Sequence, residues 1–382
     1  MTEQKSGAVL ERPAQAEKSG TKEPESAPVL LSVSHLKVGF ETNHKKMLHA
    51  VDDVSFTVHA GETLGIVGES GCGKSISCMS ILKLIQGENV RYEGGEINYK
   101  GQNTLELPEK ELQKLRGSEI SMIFQEPMTA LNPLYSIGDQ MDESLKLHTK
   151  LPHGARRKRC IDLLEKVRIP KPEEVMMRYP FNLSGGMRQR VMIAMALLTD
   201  PKLVIADEPT TALDVTIQAQ VLDVMRELQK EYGCSYIFIT HDLGVISEMA
   251  DRVAVMYGGH VCECADTDEL FEHPLHPYTK GLIHSRPHSG MQGNRLPVIP
   301  GNVPSLANKP SGCPFHTRCP KAMDCCSKAF PETVTWKEGH SVACWLYSKQ
   351  EQDKQVQDEK THTGACDCAA APNHSALSDG SK

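Results

Sequence analysis

The sequence predicts an α/β fold with a mostly parallel, covered sheet, an antiparallel β lobe, an inserted helical region and a small loop-rich C-terminal extension. Two observations predict its centre. Apolar strands at 203–206 and 236–239 are separated by a helical stretch at 216–232, and such alternation is typical of parallel sheets covered on both faces. A short apolar strand at 62–67 also runs through a glycine-rich loop into a helical stretch at 74–84, as in phosphate-binding cores.

The first half of the chain adds the antiparallel lobe and the helical region. Residues 1–28 are rich in Glu, Lys, Ser, Ala and Pro and are expected to form a disordered tail. Two strand-like stretches at 30–40 and 48–58, joined by polar residues, predict the antiparallel lobe. From about 135 to 190 apolar residues recur at helical spacing among charges, which predicts the inserted helical region.

The composition of the C-terminal part of the chain predicts a separate unit. Proline density rises from 274 to 320, which indicates a loop-rich extension at 281–348 after a main domain at 29–280. Residues 349–382 are again polar and are predicted to be disordered. The glycine-rich loop unit occurs once, so we expect a single cassette of this kind in the chain.

Charge and composition argue against several functions. The 382 residues carry a formal net charge of −7, which gives no reason to expect nucleic acid as a partner. The basic run at 156–159 is interpreted as a solvated helix face. The longest apolar run, 191–198, is shorter than a membrane span requires. No secretory pattern is present, so the 13 cysteines are expected to be thiols or metal ligands of a cytosolic chain.

The glycine-rich loop at 68–75 reads Gly-Glu-Ser-Gly-Cys-Gly-Lys-Ser and is a complete G-x-x-x-x-G-K-S phosphate loop. Its glycines allow backbone N–H groups to turn inward around phosphates, in conformations that a Cβ disfavours. The following helix N-terminus favours an anion. The lysine is expected to reach the β- and γ-phosphates and the last serine to bind Mg²⁺. The predicted phosphate and metal contacts are Gly68, Gly71, Gly73, Lys74 and Ser75.

Four further residues, all following apolar stretches, complete a predicted hydrolytic centre. The strand at 203–206 ends in Asp207, a candidate for the Mg²⁺ shell, and Glu208, a candidate for polarising the attacking water. His241 follows the strand at 236–239 and is expected to contact the γ-phosphate. Gln125 ends another apolar run, and its amide is expected to reach both the metal and the water.

Taken together, these motifs resemble those of the ATP-binding subunits of ABC transporters over about residues 29–280. The resemblance implies an ABC ATPase fold, a P-loop NTPase core, and a cofactor set of ATP and Mg²⁺. It also implies that Phe40 stacks on adenine and that the second glycine run, the family's signature, completes the nucleotide site of a second cassette across a dimer. The residues matching the signature and the family's D-loop are Ser184, Gly185, Gly186, Gln189 and Asp214.

Two regions are similar to the oligopeptide and dipeptide permease ATPases within that family. One follows Gln125, and the other is the extension. The matching segments are 126–134, 273–279, 299–301, 313–316 and 318–320.

Four cysteines of the extension form a candidate metal site. Five, six and seventeen residues separate them, and this spacing does not choose between an iron–sulfur cluster, zinc and no metal. The resemblance favours a 4Fe-4S cluster. Cys325 departs from the family pattern and is either a spare thiol or a competing ligand, and Cys72, Cys366 and Cys368 receive no ligand role. The candidate ligands are Cys313, Cys319, Cys326 and Cys344.

The resemblance implies an ATPase subunit of a peptide importer on the cytoplasmic face of the inner membrane. Its implied partners are two integral membrane permease subunits, an extracytoplasmic substrate-binding protein and a second ATPase, expected to be a different chain. The cargo stays open between dipeptides, oligopeptides and another solute such as a metal chelate. The alternatives are a non-transport ABC ATPase, which typically carries long coiled-coil insertions or two cassettes, and a regulatory cassette that only binds nucleotide. The retained Glu208 and His241 argue against the latter.

Overall fold

The computed structural model describes residues 27–211, 213–285 and 298–348. Predictions for most of the N-terminal tail, for residues 286–297 of the extension and for the C-terminal tail with Cys366 and Cys368 lie outside the described residues. The strands are β1 (Val29–Glu41), β2 (Met47–His59), β3 (Thr63–Val67), β4 (Val90–Tyr99), β5 (Gln102–Asn103), β6 (Ile120–Ile123), β7 (Leu203–Asp207), β8 (Ser235–Thr240), β9 (Arg252–Tyr257), β10 (His260–Asp266), β11 (Val334–Lys337) and β12 (His340–Val342).

Helices connect these strands and form a cluster of their own in the middle of the chain. Within the described part none of them combines the length and the apolar composition that crossing a bilayer requires. The helices are α1 (Lys74–Ile81), α2 (Glu109–Leu115), α3 (Pro127–Ala130), α4 (Ile137–His148), α5 (His153–Lys166), α6 (Pro172–Met176), α7 (Gly185–Leu197), α8 (Val215–Tyr232), α9 (Leu243–Met249), α10 (Thr267–Glu272) and α11 (Pro277–His284).

The main sheet has the strand order β11-β12-β10-β9-β3-β8-β7-β6. The five consecutive strands β9-β3-β8-β7-β6 of this sheet pair in parallel. Every residue of β3, β7 and β8 is buried. This confirms the predicted α/β fold. Because the carboxyl ends of parallel strands meet at one edge, the segments that follow β3, β7 and β8 come together there.

The two faces of the main sheet belong to two different cores, as the alternation of side chains along a strand requires. Leu64, Ile66 and Ile205 pack against the antiparallel lobe, whose strand order is β2-β1-β4-β5. Val204 and Phe238 point to the opposite face, which is covered by helices. The lobe and the helical cluster thus hold the sheet from opposite sides.

The predicted helical region consists of α4 to α7, with the short α3 before it. α5 shows the amphipathic pattern most clearly, because Cys160, Leu163 and Leu164 are buried while the basic residues around them remain at the surface. α7 begins one residue after Ser184, whose hydroxyl accepts a hydrogen bond from the Met187 N–H, a standard N-cap.

The C-terminal extension is joined to the main sheet, whereas the sequence predicts a separate unit. Strand β12 pairs with β10, and β11 pairs with β12. The buried Glu263 of β10 fixes this join: its carboxylate accepts hydrogen bonds from the main-chain N–H groups of Leu275 and His276 and contacts His340 Nε2 at 2.9 Å. The extension therefore continues the sheet past its antiparallel edge.

Candidate functional site

The phosphate loop connects β3 to α1 and has a backbone that requires glycine. Gly73 has a φ of 103°, and a Cβ on it would lie 2.5 Å from the Ala50 carbonyl oxygen. A Cβ on Gly68 would lie 2.2 Å from the Met256 carbonyl oxygen. The loop is thus packed tightly between the lobe and β9, and its curvature directs main-chain N–H groups and the start of α1 toward one space.

Lys74 lies inside this loop. Its side chain is only 5% exposed, and Nζ donates hydrogen bonds to the carbonyl oxygens of Gly68 at 2.7 Å and Glu69 at 3.2 Å. These two carbonyl oxygens hold the ammonium group against the loop, where its positive charge favours an anion.

Ser75 and Asp207 meet where α1 faces the end of β7. The Ser75 hydroxyl donates a 2.9 Å hydrogen bond to Asp207 Oδ1. Burial raises the pKa of the Asp207 carboxyl, while the bond from Ser75 opposes that shift. A hydroxyl and a carboxylate are hard oxygen donors, so this pair could hold Mg²⁺ next to the phosphate loop.

Glu208 is the first residue after β7 and is held in an unusual conformation. Its φ is +46°, a left-handed value that costs on the order of 1–3 kcal/mol outside glycine. Its N–H donates to the Ile239 carbonyl oxygen at 2.9 Å, which extends the pairing of β7 with β8 by one residue. The pairing with β8 therefore holds the strained backbone of Glu208 in place, and its carboxylate lines the same cavity as the phosphate loop.

The Glu208 carboxylate collects the other predicted hydrolytic residues. Gln125 Nε2 donates to it at 3.1 Å, and His241 Nδ1 lies 3.4 Å from its second oxygen. The Thr211 hydroxyl also donates to it, at 2.9 Å. Sequence reasoning missed the role of Thr211, although a hydroxyl three residues after the carboxylate was a usable signal. The site can orient a water molecule and accept its proton.

One cavity of about 250 Å³ joins this centre to the predicted base-binding residue. Phe40 and Ala50 line it together with Gln125 and Glu208. Leu306, from the C-terminal extension, also lines it, and nothing in the sequence motifs indicates this contact.

The second glycine run does not line the cavity of its own chain. Ser184 and Gly185 are exposed at the start of α7. Asp214 caps the neighbouring helix α8 by accepting the Ile217 N–H at 3.0 Å. Gln189 is instead buried, 2% exposed, and its Nε2 has no hydrogen-bond partner among the described residues.

The four cysteines of the extension surround a second, small cavity. All eleven described cysteines are free thiols. Burial raises the pKa of Cys313 to about 11 and that of Cys344 to about 12, and it also raises the pKa values of Cys319 and Cys326. Four thiols are a suitable donor set for zinc or an iron–sulfur cluster. However, no group of three or more His, Cys, Asp or Glu side chains in the described part is arranged closely enough to hold a metal ion.

Comparisons with known families match both halves of the folded chain. A family model described as "ABC transporter" matches residues 51–211. A second model, described as "Oligopeptide/dipeptide transporter, C-terminal region", matches residues 262–326.

Individual relatives match over most of their length. The chain is 47% identical to the dipeptide transport ATP-binding protein DppD of Bacillus subtilis over 84% of this chain and 96% of the relative. It is 50% identical to the oligopeptide transport ATP-binding protein AppD of the same organism, over 84% and 98%. It is 46% identical to the oligopeptide transport ATP-binding protein OppD of Salmonella typhimurium, over 86% and 96%.

Solved structures share the fold. A dimeric structure of the ATP-binding cassette MJ0796 bound to ADP and Pi has a TM-score of 0.56 and 26% identity, and the match covers 62% of this chain and 98% of that one. The structure of cbiO1 from Clostridium perfringens, part of an ABC transporter complex, has a TM-score of 0.54 and 27% identity, over 64% and 91%.

Replacement of Gly73 by alanine is predicted to weaken ATP binding by at least about tenfold, because the positive φ and the contact with the Ala50 carbonyl oxygen would displace the loop. Isothermal titration with Mg-ATP measures this. Gly154→Ala in α5 is the matched control, since a Cβ there meets nothing within 4 Å. Wild-type affinity in the Gly73→Ala protein would show that the loop does not require glycine.

Proposed function

The chain belongs to the family of ATP-binding proteins of ABC transporters, in its oligopeptide and dipeptide branch, and we propose that it is the ATP-hydrolysing subunit of a peptide importer. The resemblance predicted from the motifs is thereby confirmed. The observation that carries the proposal is the joint match of the catalytic cassette and of the extension, together with relatives whose names specify dipeptide or oligopeptide transport.

The phosphate loop and Lys74 bind the phosphates of ATP in this proposal, because they offer N–H donors and a positive charge in a tightly packed turn. Phe40 stacks on the base. Bound Mg²⁺ would stabilise the charge on the phosphates, and Ser75 and Asp207 are the residues placed to hold it.

Glu208 orients the attacking water and accepts its proton. The amide of Gln125 and the hydroxyl of Thr211 hold the carboxylate in position. His241, which is more than half exposed at the end of β8, contacts the γ-phosphate and so distinguishes ATP from ADP. Each of these groups lies at the carboxyl edge of the parallel sheet, where the geometry depends on strand pairing rather than on loop flexibility.

The signature residues serve a second cassette. Ser184 and Gly185 are exposed and do not line their own cavity, although they begin a helix whose free N–H groups suit a phosphate. A structurally similar cassette is described as dimeric and bound to ADP and Pi. In this proposal ATP binding closes two cassettes on each other, and hydrolysis lets them open.

The transporter places this chain on the cytoplasmic face of the inner membrane, against two integral permease subunits, with a peptide-binding protein on the other side. The second ATPase is a different chain of the same branch. The match to the peptide-transporter extension model and the relatives named as peptide transport ATP-binding proteins support these assignments.

We further propose that the extension holds a 4Fe-4S cluster. Cys313, Cys319, Cys326 and Cys344 line one cavity and would supply the four thiolates that such a cluster requires, although the described thiols are not grouped closely enough to hold a metal ion as they stand. Cys325 does not line this cavity. The cluster would cross-link the loops of the extension, and no step of ATP hydrolysis depends on it.

Peptide import is tested with the complex purified together with its membrane subunits and placed in lipid vesicles. ATP hydrolysis is expected to rise several-fold when peptide-loaded binding protein is added. Stimulation only by another loaded solute would keep the transporter and reject the peptide as cargo. If no membrane subunits co-purify, the transporter assignment itself fails.

Glu208→Gln is predicted to lower turnover by at least about a hundredfold, because the amide cannot accept the proton of the attacking water. ATP affinity should be retained, and the closed dimer should persist in size-exclusion chromatography with Mg-ATP. Glu272→Gln, at an exposed glutamate of α10, is the control. Normal turnover in Glu208→Gln would remove Glu208 from this role.

Anaerobically purified protein is predicted to show a broad visible absorption that Cys319→Ser abolishes and the control Cys325→Ser retains. Iron and sulfide analysis accompanies the spectra. A colourless protein with stoichiometric zinc would replace the cluster by a zinc site, and a colourless protein without metal would reject both.

A further inference from the structure

We propose that the C-terminal extension forms part of the nucleotide site, with Leu306 as a wall of the base pocket and Arg318 as the residue that positions the phosphate loop through Glu69. The inference rests on the proposed binding of ATP. It concerns residues outside the cassette motifs and separated from the loop by more than two hundred positions.

Arg318 makes a bidentate ion pair with a residue inside the phosphate loop. Its Nη1 and Nη2 donate to the two carboxylate oxygens of Glu69 at 2.5 and 3.1 Å. The arginine side chain is 4% exposed and the glutamate side chain is 29% exposed. A paired guanidinium and carboxylate of this geometry, largely shielded from water, is both strong and orientationally specific.

The other N–H groups of Arg318 are also used. Nε donates to the Pro300 carbonyl oxygen at 2.9 Å, Nη2 to that of Ile299 at 3.3 Å, and Nη1 to the Tyr257 hydroxyl at 3.2 Å. A guanidinium has five N–H donors, and these contacts together with the two to Glu69 account for all five. Arg318 therefore ties the phosphate loop to β9 and to the extension at a single point.

Glu69 is held from its main chain as well. Its N–H donates a 2.8 Å hydrogen bond to the hydroxyl of Tyr278, a fully buried residue of α11. Tyr278 packs against Tyr257 and Phe315, with ring centroids 4.7 and 5.2 Å away. Both anchors of Glu69 thus come from the region matched by the extension model.

A carboxylate in an anion-binding loop needs such a partner. Glu69 lies between Gly68 and Ser70, where an unpaired negative charge would repel the phosphates. The positive charge of Arg318 cancels it, and the fixed carboxylate in turn fixes the loop. This assigns Arg318 a positioning role for phosphate binding without direct contact with the nucleotide.

Leu306 approaches the same site from the base side. It begins a short 3-10 turn, Leu306–Asn308, that lies against the lobe. The following residue, Lys309, holds the turn in place, since its Nζ donates to Asp52 Oδ2 at 3.1 Å and contacts His260 Nε2 at 3.0 Å. Leu306 and Phe40 line one cavity, so an aromatic heterocycle would contact an apolar side chain from the lobe and another from the extension.

The two contributions can be separated by two probes. Full-length protein is titrated calorimetrically with Mg-ATP and with Mg-tripolyphosphate, which has the phosphates but no base. Leu306→Ala is expected to weaken ATP binding by about three- to tenfold and to leave tripolyphosphate binding unchanged. Val298→Ala, an apolar residue of the same extension that is 83% exposed, is the control. Equal affinities for ATP in Leu306→Ala and wild type would reject the base wall.

Arg318→Gln is expected to weaken binding of both probes by about tenfold, and in the assembled transporter to raise KM for ATP while kcat changes by less than about threefold. Arg156→Gln is the matched control, because Arg156 also makes two hydrogen bonds to a carboxylate, that of Asp142, in the helical region. Loss of affinity no greater than in Arg156→Gln would overturn the positioning role.

Glu69→Gln keeps the test decisive if Arg318→Gln does not fold, as circular dichroism would reveal. Because the two residues act as one unit, Glu69→Gln alone should also weaken binding of both probes, and wild-type affinity in it would reject the positioning role. Where Arg318→Gln does fold, the double variant should lose little more than either single variant. Additive losses would reject the link between them. Failure of the wild-type protein to bind ATP would instead overturn the proposed function, on which this inference rests.

Discussion

The parallel pairing of β3, β8 and β7 is the constraint on which the rest of the site depends. The phosphate loop follows β3, His241 follows β8, and the Asp207–Glu208 pair spans the end of β7. These three segments are far apart in the sequence. A register shift of one residue would turn the buried side chains of β7 to the wrong core and would move its terminal carboxylates away from Ser75. The burial of both sheet faces, one by the lobe and one by helices, prevents such a shift. The register of these strands therefore sets both the geometry of the site and the packing of the two cores.

Three carboxylates close to a polyanion site require three different forms of compensation. Asp207 is buried and shares a hydrogen bond with Ser75, which leaves it suited to a divalent cation. Glu208 accepts hydrogen bonds from Gln125 and Thr211 and lies 3.4 Å from His241 Nδ1, and these contacts fix the position of its carboxylate. Glu69 is paired with a permanent cation, Arg318, and so is removed from the chemistry. In the proposed mechanism the same side-chain type thus serves metal binding, water activation and loop support, because its partner differs at each position.

The sequence predicts the cassette well because the residues of the candidate site lie in short motifs at the ends of strands. Asp207, Glu208 and His241 come at the ends of apolar runs, and Lys74 and Ser75 come after the glycine-rich loop that follows another. The parallel topology of the strands is sufficient to bring these residues together.

The contacts that sequence reasoning missed are long-range. Arg318 and Leu306 lie in a proline-rich segment whose composition predicts a separate unit, and no local pattern links them to Glu69 or Phe40. The burial of Gln189 shows the same limit, since the exposure of a side chain on a helix depends on what packs against that helix.

The contacts of Arg318 also give the extension a thermodynamic role. Arg318 stands between Cys313 and Cys319 in the chain, so the loop that carries two of the four thiols also carries the guanidinium that holds the phosphate loop. If nucleotide binding favours the paired conformation of Glu69, it must also favour the conformation of the cysteine loop that presents Arg318. Linkage requires the reverse with the same free energy: whatever rigidifies the cysteine loop strengthens nucleotide binding. An extension of this kind stabilises the cassette in its binding-competent state while lying outside the hydrolytic centre.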